Sequence, residues 1–366
     1  MKVIHLINSL NMGGAEKLIV ETLPLFNKNG ITTDLLLLNG SETKLHSLLK
    51  KNASFNIYSL GNGWIYNPIL IFRLFVYFKR YDIVHVHLFP SMYFAAIAKW
   101  LCRSRITLVF TEHSTSNRRL ATPIFSTLEK WIYSKYQKII CISAAVKSSV
   151  IKALKIESDK FVVVENGVNI DSIKTFAPAK RSSFQLNDKD FVLTMVAGFR
   201  VEKDQSTVLK AIPYLPSDCK VLFVGDGDTR DKCIELAHKL GVEQRVRFLG
   251  IRTDAISIMK MSDVNLLSSN WEGFGLVAIE GMATEKPFIA SNVPGLADVV
   301  GNAGVIFEKG DVDELAKLIR RLKDEPSFYD YVAKRCVARA EKYNIKTMIS
   351  QSINIYRELH HTAKHN

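Results

Sequence analysis

Short apolar runs alternate with longer amphipathic segments along the whole chain. The runs are rich in Val, Ile, Leu and Phe and do not alternate strictly with polar residues, which is typical of parallel strands covered by helices on both faces. They read KVIHLIN, TTDLLLLN, DIVHVHLF, ITLVFTEH, KIICIS and KFVVVENG in the front half, and FVLTMVAG, KVLFVGDG, VRFLG, DVNLLSS and KPFIAS in the back half. The pattern predicts an α/β protein with two doubly wound parallel sheets in tandem.

A polar, proline-containing segment without periodicity, residues 169–190, lies between the two series of runs and predicts a linker. We therefore expect an N-terminal domain over residues 1–170 and a C-terminal domain over residues 171–344. The last helical pattern, about residues 345–366, is expected to join the N-terminal domain. Because ligands bind at the carboxyl ends of the strands in open α/β sheets, the predicted site is a cleft between the two domains.

Length and composition fit a cytoplasmic protein with more than one core. The chain has 366 residues, of which 47% are hydrophobic, and its five cysteines form no C-x-x-C pair or metal-ligand spacing. The N-terminus lacks a signal-peptide pattern, and the longest apolar stretch, Pro68–Phe78, is interrupted by Arg73 and too short to span a bilayer.

The net charge of +13 is concentrated in the front half. Residues 1–175 contain 22 Lys and Arg against 11 Asp and Glu, whereas the remaining residues contain 27 against 25. A basic half could face nucleic acid, anionic lipid or a phosphorylated substrate, and an ordinary solvated basic surface is the simpler alternative.

A glycine pair follows the first predicted strand. Gly13 and Gly14 lie in the loop between that strand and a helix that is expected to begin near Ala15. The N–H groups and dipole of a helix N-terminus favour an anion. The loop completes neither the dinucleotide-binding nor the P-loop motif, so a structural tight turn is an equal alternative.

A second loop carries two glutamates and two glycines. In SSNWEGFGLVAIEGMATEKP, Glu272 precedes a helix expected from about Leu276, and Glu280 lies one turn inside it. The glycines at 273 and 275 expose backbone N–H groups that suit a phosphate. Carboxylate oxygens accept hydrogen bonds from the hydroxyls of a sugar or a ribose.

Two cations share a third loop. Arg200 and Lys203 lie in VAGFRVEKDQST, again at the end of a predicted strand. Cations placed there could stabilise a departing diphosphate. A solvated basic loop would be the preferred interpretation if this segment stood alone.

In this order, GGAE, VENGVNI, EKDQ, VGDGDTR, FLG and EGFGLVAIE resemble the signature set of the family 4 retaining glycosyltransferases, which have the GT-B fold. The resemblance covers nearly the whole chain, and the two glutamates with seven residues between them are its most specific part. It implies two Rossmann-like domains that face each other across a cleft, with the acceptor on the N-terminal domain and the nucleotide-sugar on the C-terminal domain.

The resemblance also implies roles for individual residues. Gly13 and Gly14 would approach the donor phosphate and sugar, and Lys203 would bind the diphosphate. The family's arginine aligns with Gly198, so Arg200, two residues further along, is the expected substitute.

On the donor side, the resemblance places Glu272 at the sugar and Glu280 at the ribose. Ile251 or Arg252 would contact the base. The backbone N–H groups expected around the two glutamates belong to Gly273, Phe274, Gly275 and Leu276.

Three histidines lie on or after predicted strands of the front half. The resemblance implies that His87 lies beside the reacting sugar, whereas His85, on the same strand face, is more simply a packed core residue. His113 is a candidate contact of donor or acceptor. Ser143 is expected to cap a helix, and Asn166 with Gly167 is expected to form a turn.

Three D-x-D spacings raise the question of a metal: Asp188 and Asp190, Asp226 and Asp228, and Asp311 and Asp313. The first pair lies in the predicted linker and the last begins a helix, where acidic residues complement the dipole. We therefore predict no metal and no cofactor, with the nucleotide-sugar as a co-substrate.

The resemblance implies a retaining transfer of a hexosyl or N-acetylhexosaminyl group. The donor would be a nucleotide-sugar, by default UDP-linked, and the acceptor a lipid-linked or soluble glycan in bacterial capsule, O-antigen or lipopolysaccharide biosynthesis. The basic, apolar segment Asn67–Tyr81 suits the anionic inner face of the cytoplasmic membrane, with a buried helix as the alternative.

Two other functions stay open from the residues alone. A sugar-nucleotide epimerase of similar architecture would not explain the paired glutamates or the basic front half. A nucleic-acid-binding protein would rest on net charge only, without a recognition motif, so no nucleic-acid partner is expected.

Overall fold

The computed structural model describes residues 1–11, 13–52, 54–113, 123–156 and 159–365. It divides into two compact units. Unit 1 consists of Met1–Gly167 together with Ile345–Asn366, and unit 2 consists of Val168–Asn344. The domain limits expected from the sequence were 1–170 with 345–366, and 171–344.

Unit 1 contains a seven-stranded, entirely parallel sheet with the strand order β3-β2-β1-β4-β5-β6-β7. Its central strands are buried on both faces, which explains why they read as continuous apolar runs. The strands are β1 (Lys2–Ile7), β2 (Thr32–Leu37), β3 (Ile57–Ser59), β4 (Ile83–His87), β5 (Thr107–Glu112), β6 (Lys138–Cys141) and β7 (Phe161–Val163).

Helices cover this sheet. Within unit 1 they are α1 (Gly14–Lys28), α2 (Lys44–Asn52), α3 (Ile69–Arg73), α4 (Phe75–Phe78), α5 (Ser91–Leu101), α6 (Pro123–Ser134), α7 (Ala144–Leu154) and the C-terminal α16 (Ile345–His365). Buried Ile345, Ile349, Ile353 and Tyr356 recur at helical spacing along α16. They pack in one core with residues of β1 and α1, including Phe26, so the end of the chain is part of unit 1.

Unit 2 contains a six-stranded parallel sheet with the order β10-β9-β8-β11-β12-β13. Its strands are β8 (Phe191–Val196), β9 (Cys219–Val224), β10 (Val246–Phe248), β11 (Val264–Leu267), β12 (Phe288–Ser291) and β13 (Val305–Phe307). Its α-helices are α8 (Ile170–Thr175), α9 (Gln205–Ala211), α10 (Arg230–Lys239), α11 (Ala255–Met261), α12 (Leu276–Ala283), α13 (Leu296–Val300), α14 (Val312–Asp324) and α15 (Pro326–Ala340). Short 3-10 helices span Arg181–Phe184, Ile212–Tyr214, Glu243–Arg245 and Glu341–Tyr343. Two doubly wound parallel sheets confirm the predicted α/β fold class.

The segment expected to be a linker, residues 169–190, is instead part of unit 2. It forms α8 and a 3-10 helix, and Phe184 and Leu186 are buried in a core cluster with Val192 and Leu222. The expectation failed because isolated apolar residues at irregular spacing leave no periodic signal, although they still bury apolar surface on folding.

The sequence also did not reveal strands β3 and β13. Each has three residues and lies at an edge of its sheet. Five of these six residues are half-buried or exposed. A strand of only three residues, as in both cases, is too short to give a distinct apolar run.

The apolar segment at Pro68–Phe78 forms two short helices, α3 and α4, that meet at Leu74. Leu74 is fully buried, whereas Ile69, Phe72 and Val76 are 56%, 59% and 49% exposed. The helix pair therefore packs with one face and leaves another apolar face at the surface. Among the described residues, no helix has both the length and the apolar character needed to span a bilayer.

Candidate active site

The glycine loop of unit 1 forms the predicted helix terminus. β1 ends at Ile7, and Gly13 in extended backbone precedes the first residue of α1, Gly14. Both glycines are exposed. A side chain at Gly13 would meet the flexible end of Glu16, whose carboxylate lies beside this residue, so glycine is not required there by the backbone.

Beside this loop, histidines from neighbouring strands collect on one face of the sheet. His5 on β1 is paired in register with His85 on β4, and His87 lies two residues further along β4, on the same face. Their side chains are 1%, 4% and 5% exposed. Their ring centroids are 4.3 to 5.3 Å apart. The sequence analysis did not single out His5, because only the pairing of β1 with β4 brings it to the other two.

Hydrogen bonds connect these imidazoles to one another and to the half-buried His113 after β5. Nδ1 of His5 lies 3.1 Å from Nε2 of His87, and Nδ1 of His87 lies 3.3 Å from Nε2 of His113. The His87 side chain is therefore buried with both nitrogens engaged, whereas His113 is more accessible.

His85 is held from two other elements. Its Nε2 lies 2.6 Å from the hydroxyl of Thr111 on β5, and its Nδ1 bonds to the hydroxyl of Tyr356 on α16. That hydroxyl is also 3.5 Å from Nε2 of His5. His85 is the packed core histidine that the sequence suggested.

Burial keeps the four histidines uncharged at neutral pH. Desolvation lowers the pKa of His5 to about 3 and the pKa of His113 to about 4. The pKa values of His85 and His87 also lie well below the usual value, first because of burial and then because of the neighbouring histidines. At pH 7 each ring therefore carries a single proton, on one of its two nitrogens.

A cavity of about 40 Å³ adjoins the histidines. Its polar lining includes Thr22, Asn166 and Ser352, and no lining residue carries a carboxylate, an ammonium or a guanidinium group. Asn166 was expected in a turn, but it lies outside any turn and is 5% exposed. Its side chain is therefore buried in unit 1.

The same three buried histidines raise the question of a metal. Ligand nitrogens of His5, His85 and His87 lie within 4.8 Å of one another. Tetrahedral coordination at about 2.0–2.1 Å brings ligand nitrogens closer together than this. Both nitrogens of His85 also already bond to hydroxyl groups. The observed arrangement is a hydrogen-bonded cluster.

In unit 2, two adjacent strand-end loops bring Lys203 and Glu272 together as an ion pair. These residues follow β8 and β11, which are neighbours in the sheet. Oε2 of Glu272 accepts hydrogen bonds from the ammonium group of Lys203 and, at 3.3 Å, from the hydroxyl of Ser269. The Asn270 side chain donates to the Val201 carbonyl at 2.9 Å, which ties the two loops together.

Two glycines allow other loops to approach this pair closely. Gly295 has φ 82°, and a Cβ there would clash with the backbone carbonyl of Glu272. Gly227 has φ 150°, and a Cβ there would clash with the carbonyl of Phe199, in the loop that carries Lys203. Both positions favour glycine for conformational and steric reasons. The contact at Gly227 explains the second glycine of VGDGDTR, for which the sequence pattern alone offers no physical reason.

Helix α12 begins directly after this loop. Gly275 precedes its first residue, and Leu276 opens the helix as predicted. Glu280 lies one turn inside and is 6% exposed. The Phe274 side chain packs edge-on against Tyr343, with the ring centroids 5.5 Å apart.

The other donor-side candidates differ in accessibility. The Arg200 side chain is 66% exposed, with its nearest carboxylate, Glu202, at 3.9 Å. Its Nε lies 3.8 Å from where a Cβ of residue 198 would be, so it folds back over Gly198. Ile251 is 52% exposed, whereas Arg252 is paired with Asp254 at 2.7 Å.

Three minor assignments from the sequence can be compared with local contacts. Ser143 caps α7 by accepting a hydrogen bond from the Val146 amide at 3.1 Å, as predicted. Asp311 likewise caps α14. Asp190 accepts a hydrogen bond from the Asn187 amide at 2.7 Å, and Asp226 accepts one from the following amide at 2.9 Å. One aspartate of each D-x-D pair therefore accepts a local hydrogen bond from a backbone amide.

Two tandem parallel sheets, with the last helix returning to the first unit, define the GT-B fold. A match to HepE (Alr3699) from Anabaena, a crystal structure in complex with UDP-glucose, supports this fold, with a TM-score of 0.86, 21% identity, and coverage of 98% of this chain and 100% of that one. The model "Glycosyltransferase Family 4" matches residues 12–172, and "Glycosyl transferases group 1" matches residues 176–343. The chain belongs to the family 4 glycosyltransferases.

Curated relatives resemble the chain over most of its length. N-acetyl-alpha-D-glucosaminyl L-malate synthase of Bacillus anthracis is 28% identical over 77% of this chain and 76% of its own. UDP-Gal:alpha-D-GlcNAc-diphosphoundecaprenol alpha-1,3-galactosyltransferase of Escherichia coli is 28% identical over the same shares, 77% and 76%. These likenesses agree with the family and leave the substrates of this chain to be argued from its own residues.

Proposed function

We propose that the protein transfers a hexosyl or N-acetylhexosaminyl group from a UDP-sugar to a hydroxyl of a lipid-linked glycan, with retention at the anomeric carbon. The observation that carries this proposal is the Lys203–Glu272 pair at the start of α12, with Glu280 one turn inside that helix. A cation from the loop after β8, together with two carboxylates and a helix N-terminus from the neighbouring loop and α12, matches a donor that combines a diphosphate with hydroxyl-rich sugars.

Loss of the nucleoside diphosphate is the demanding step of such a transfer. As the bond between the anomeric carbon and the diphosphate oxygen breaks, negative charge grows on that oxygen. Lys203 and the first amides of α12 stabilise this charge, with Arg200 as a further cation. The acceptor oxygen attacks from the same face, and its proton passes to the departing diphosphate oxygen. No metal ion is needed for this charge balance.

The two glutamates select the sugars. Oε2 of Glu272 is held by Lys203 and Ser269, which orients the carboxylate so that its other oxygen can accept a hydrogen bond from a donor-sugar hydroxyl. Glu280 would bind the ribose. Because both are acceptors, each bond requires a substrate hydroxyl as donor.

Unit 1 would contribute the glycine loop and the accessible end of the histidine cluster. Gly13 and Gly14 carry no side chain at the N-terminus of α1, so a phosphate or sugar would approach the backbone there by displacing the flexible side chain of Glu16. His113 is more accessible than His87, so it is the histidine that we assign to direct contact with a sugar hydroxyl.

Relatives support the choice of donor and acceptor. The E. coli relative is named for UDP-Gal and for a diphosphoundecaprenol-linked acceptor, and the structurally similar HepE has been crystallised with UDP-glucose. A lipid diphosphate acceptor would also suit the basic front half of this chain. On this basis we assign the protein to the assembly of a bacterial surface polysaccharide at the inner face of the cytoplasmic membrane.

The surface of α3 and α4 supports membrane docking. Exposed Ile69, Phe72 and Val76 are followed directly by exposed Lys79 and Arg80. Apolar side chains next to cations favour the interface of an anionic bilayer.

Vesicle sedimentation tests this docking. The protein should pellet with anionic vesicles and not with neutral ones, and Phe72→Ser should weaken pelleting. Tyr214→Ser, a change at a similarly exposed residue of unit 2, is the matched control and should have no effect. Equal binding to both vesicle types would contradict membrane docking.

The transfer itself is tested in two stages. A thermal-shift screen with UDP, GDP and their sugar conjugates identifies the donor, because a ligand that binds only the folded state stabilises it. The anomeric configuration of the product, measured by NMR against the donor, then tests retention. An inverted product would refute the mechanism, and stabilisation by GDP but not UDP would refute the donor assignment.

A further inference from the structure

Six side chains of unit 1 form a continuous hydrogen-bonded row. It consists, in order, of Thr111, His85, Tyr356, His5, His87 and His113. Each interior histidine uses one ring nitrogen toward each neighbour. The row crosses four elements, from β5 through β4 and α16 to β1, and returns to the end of β5. We call it the histidine chain.

Neutral imidazoles impose a strict condition on such a chain. Each ring has one N–H donor and one bare acceptor nitrogen, and each link needs one donor and one acceptor. If His85 donates from Nε2 to Thr111, its Nδ1 accepts from Tyr356. The tyrosine oxygen then accepts from Nε2 of His5, and Nδ1 of His5 accepts from Nε2 of His87.

The same logic extends to His113, whose Nε2 must donate to His87. All four histidines then carry their proton on Nε2, and Nδ1 of His113 is a bare acceptor. Reversing every link places all four protons on Nδ1, and His113 becomes a donor. A mixed set among His5, His87 and His113 would leave two bare nitrogens, or two N–H groups, facing each other. A mismatch between His85 and His5 would leave either the Tyr356 hydroxyl hydrogen or one bare nitrogen without a partner.

The surroundings of the histidine chain favour neither of these two sets of proton positions. No residue that lines the adjoining cavity carries a charge that could favour one proton position. His5, His85, His87 and Tyr356 are at most 5% exposed, so bulk water does not replace a broken link.

We propose that His5, His85 and Tyr356 are positioning residues that hold the four imidazoles in one common tautomer. They thereby couple the proton position on His113, and so whether its Nδ1 presents a proton or a lone pair to a sugar hydroxyl, to the tautomer of the buried rings. This inference rests on the proposed function, because it assigns His113 to the sugar.

Tyr356→Phe is the sharpest perturbation, because it removes one hydroxyl and keeps the ring that packs in the core. In the wild-type protein, ¹⁵N NMR of labelled histidines should show the same tautomer for all four rings. In the variant, His85 should no longer share the tautomer of His5. The kcat should fall about tenfold, which corresponds to about 1.4 kcal/mol in the barrier, with the KM for donor unchanged.

Tyr136→Phe is the matched control. Tyr136 is equally buried in unit 1, and its hydroxyl donates to the Met92 carbonyl at 2.6 Å, outside the chain. This change should leave the tautomers and kcat as in the wild type. His5→Gln keeps a hydrogen-bond donor and an acceptor at position 5 and should retain most of the activity. His5→Leu removes both groups and should lose most of the activity.

Several results would overturn the inference. These are mixed tautomers in the wild-type protein, equal effects of Tyr356→Phe and Tyr136→Phe, or tight Co²⁺ binding with a tetrahedral spectrum that His5→Gln abolishes. A bound metal ion would coordinate the imidazole nitrogens whose hydrogen bonds form the histidine chain. The NMR measurement requires no turnover, so it separates the two hypotheses. If the protein transfers no sugar but its histidines share one tautomer, the proposed function is refuted and the inference about the histidine chain stands.

Discussion

Acidification below pH 6.5 should destabilise unit 1 strongly, because it buries neutral histidines. His5, His85 and His87 are at most 5% exposed, and burial lowers each pKa, to about 3 for His5. In the unfolded chain a histidine has a pKa of about 6.5. The unfolded state therefore takes up protons first, and the stabilising contribution present above pH 6.5 is lost as the pH falls toward the folded values.

The magnitude follows from proton linkage. At pH 5.5, one unit below the unfolded pKa, each histidine that stays neutral in the native state costs about 1.4 kcal/mol, so these three and His113, whose pKa is lowered to about 4, together cost about 6 kcal/mol. This is a large part of a domain stability of about 5–15 kcal/mol. The free energy of unfolding should change by about 5 kcal/mol per pH unit near pH 5.5.

Urea denaturation at a series of pH values measures this slope. Three of the four tryptophans lie in unit 1, so a Trp271→Phe background makes fluorescence report on that unit alone. His5→Gln should lower the slope by about one quarter, since it removes one of the four groups. His361→Gln, at an exposed position of α16, should leave it unchanged.

A slope near zero between pH 6.5 and 5 would refute the reasoning, because it would mean that the native state binds the same protons as the unfolded chain. A steep slope that His5→Gln leaves unaltered would locate the effect outside this cluster.

Three further predictions concern the transfer reaction. Lys203→Ala should lower kcat by about 10²–10³, the loss of one charge-stabilising contact in the transition state, with an unchanged circular dichroism spectrum as the folding control. Near-normal turnover in this variant would remove Lys203 from the mechanism. Arg200→Ala should lower kcat, and adding Gly198→Arg should restore it. The reason is that a Cβ at residue 198 meets only ordinary contacts and the Arg200 side chain already folds over that position. If steady-state kinetics show no rescue, the two positions are not equivalent. Gly13→Val should impair transfer more than UDP binding measured by calorimetry, because it fills the space before α1, and an equal loss of both would contradict this role.

The sequence predicted most of the fold because most strands are buried on both faces. A strand such as β4 or β8 reads as a continuous apolar run whatever its neighbours are. The edge strands β3 and β13 were missed because they are short and only partly buried. The segment at 169–190 was misread because Phe184 and Leu186 contribute to a core without periodic spacing.

The candidate site was predictable to the extent that its chemistry is local. Glycines, cations and carboxylates at strand ends can be recognised within a single loop, as at Glu272 and Lys203. Their contact could not, because 69 residues separate them. It depends on β8 and β11 being neighbours in the sheet.

The sequence by itself determined the class of protein, the strands that form the two sheets, and the loops that carry the chemistry. The tertiary structure alone decided which remote side chains meet. His5 drew no attention in the sequence, yet the register of β1 beside β4 and the return of α16 place it between His87 and Tyr356. The physical reason is that periodicity records which residues are buried, whereas strand order and helix packing settle which buried groups share hydrogen bonds.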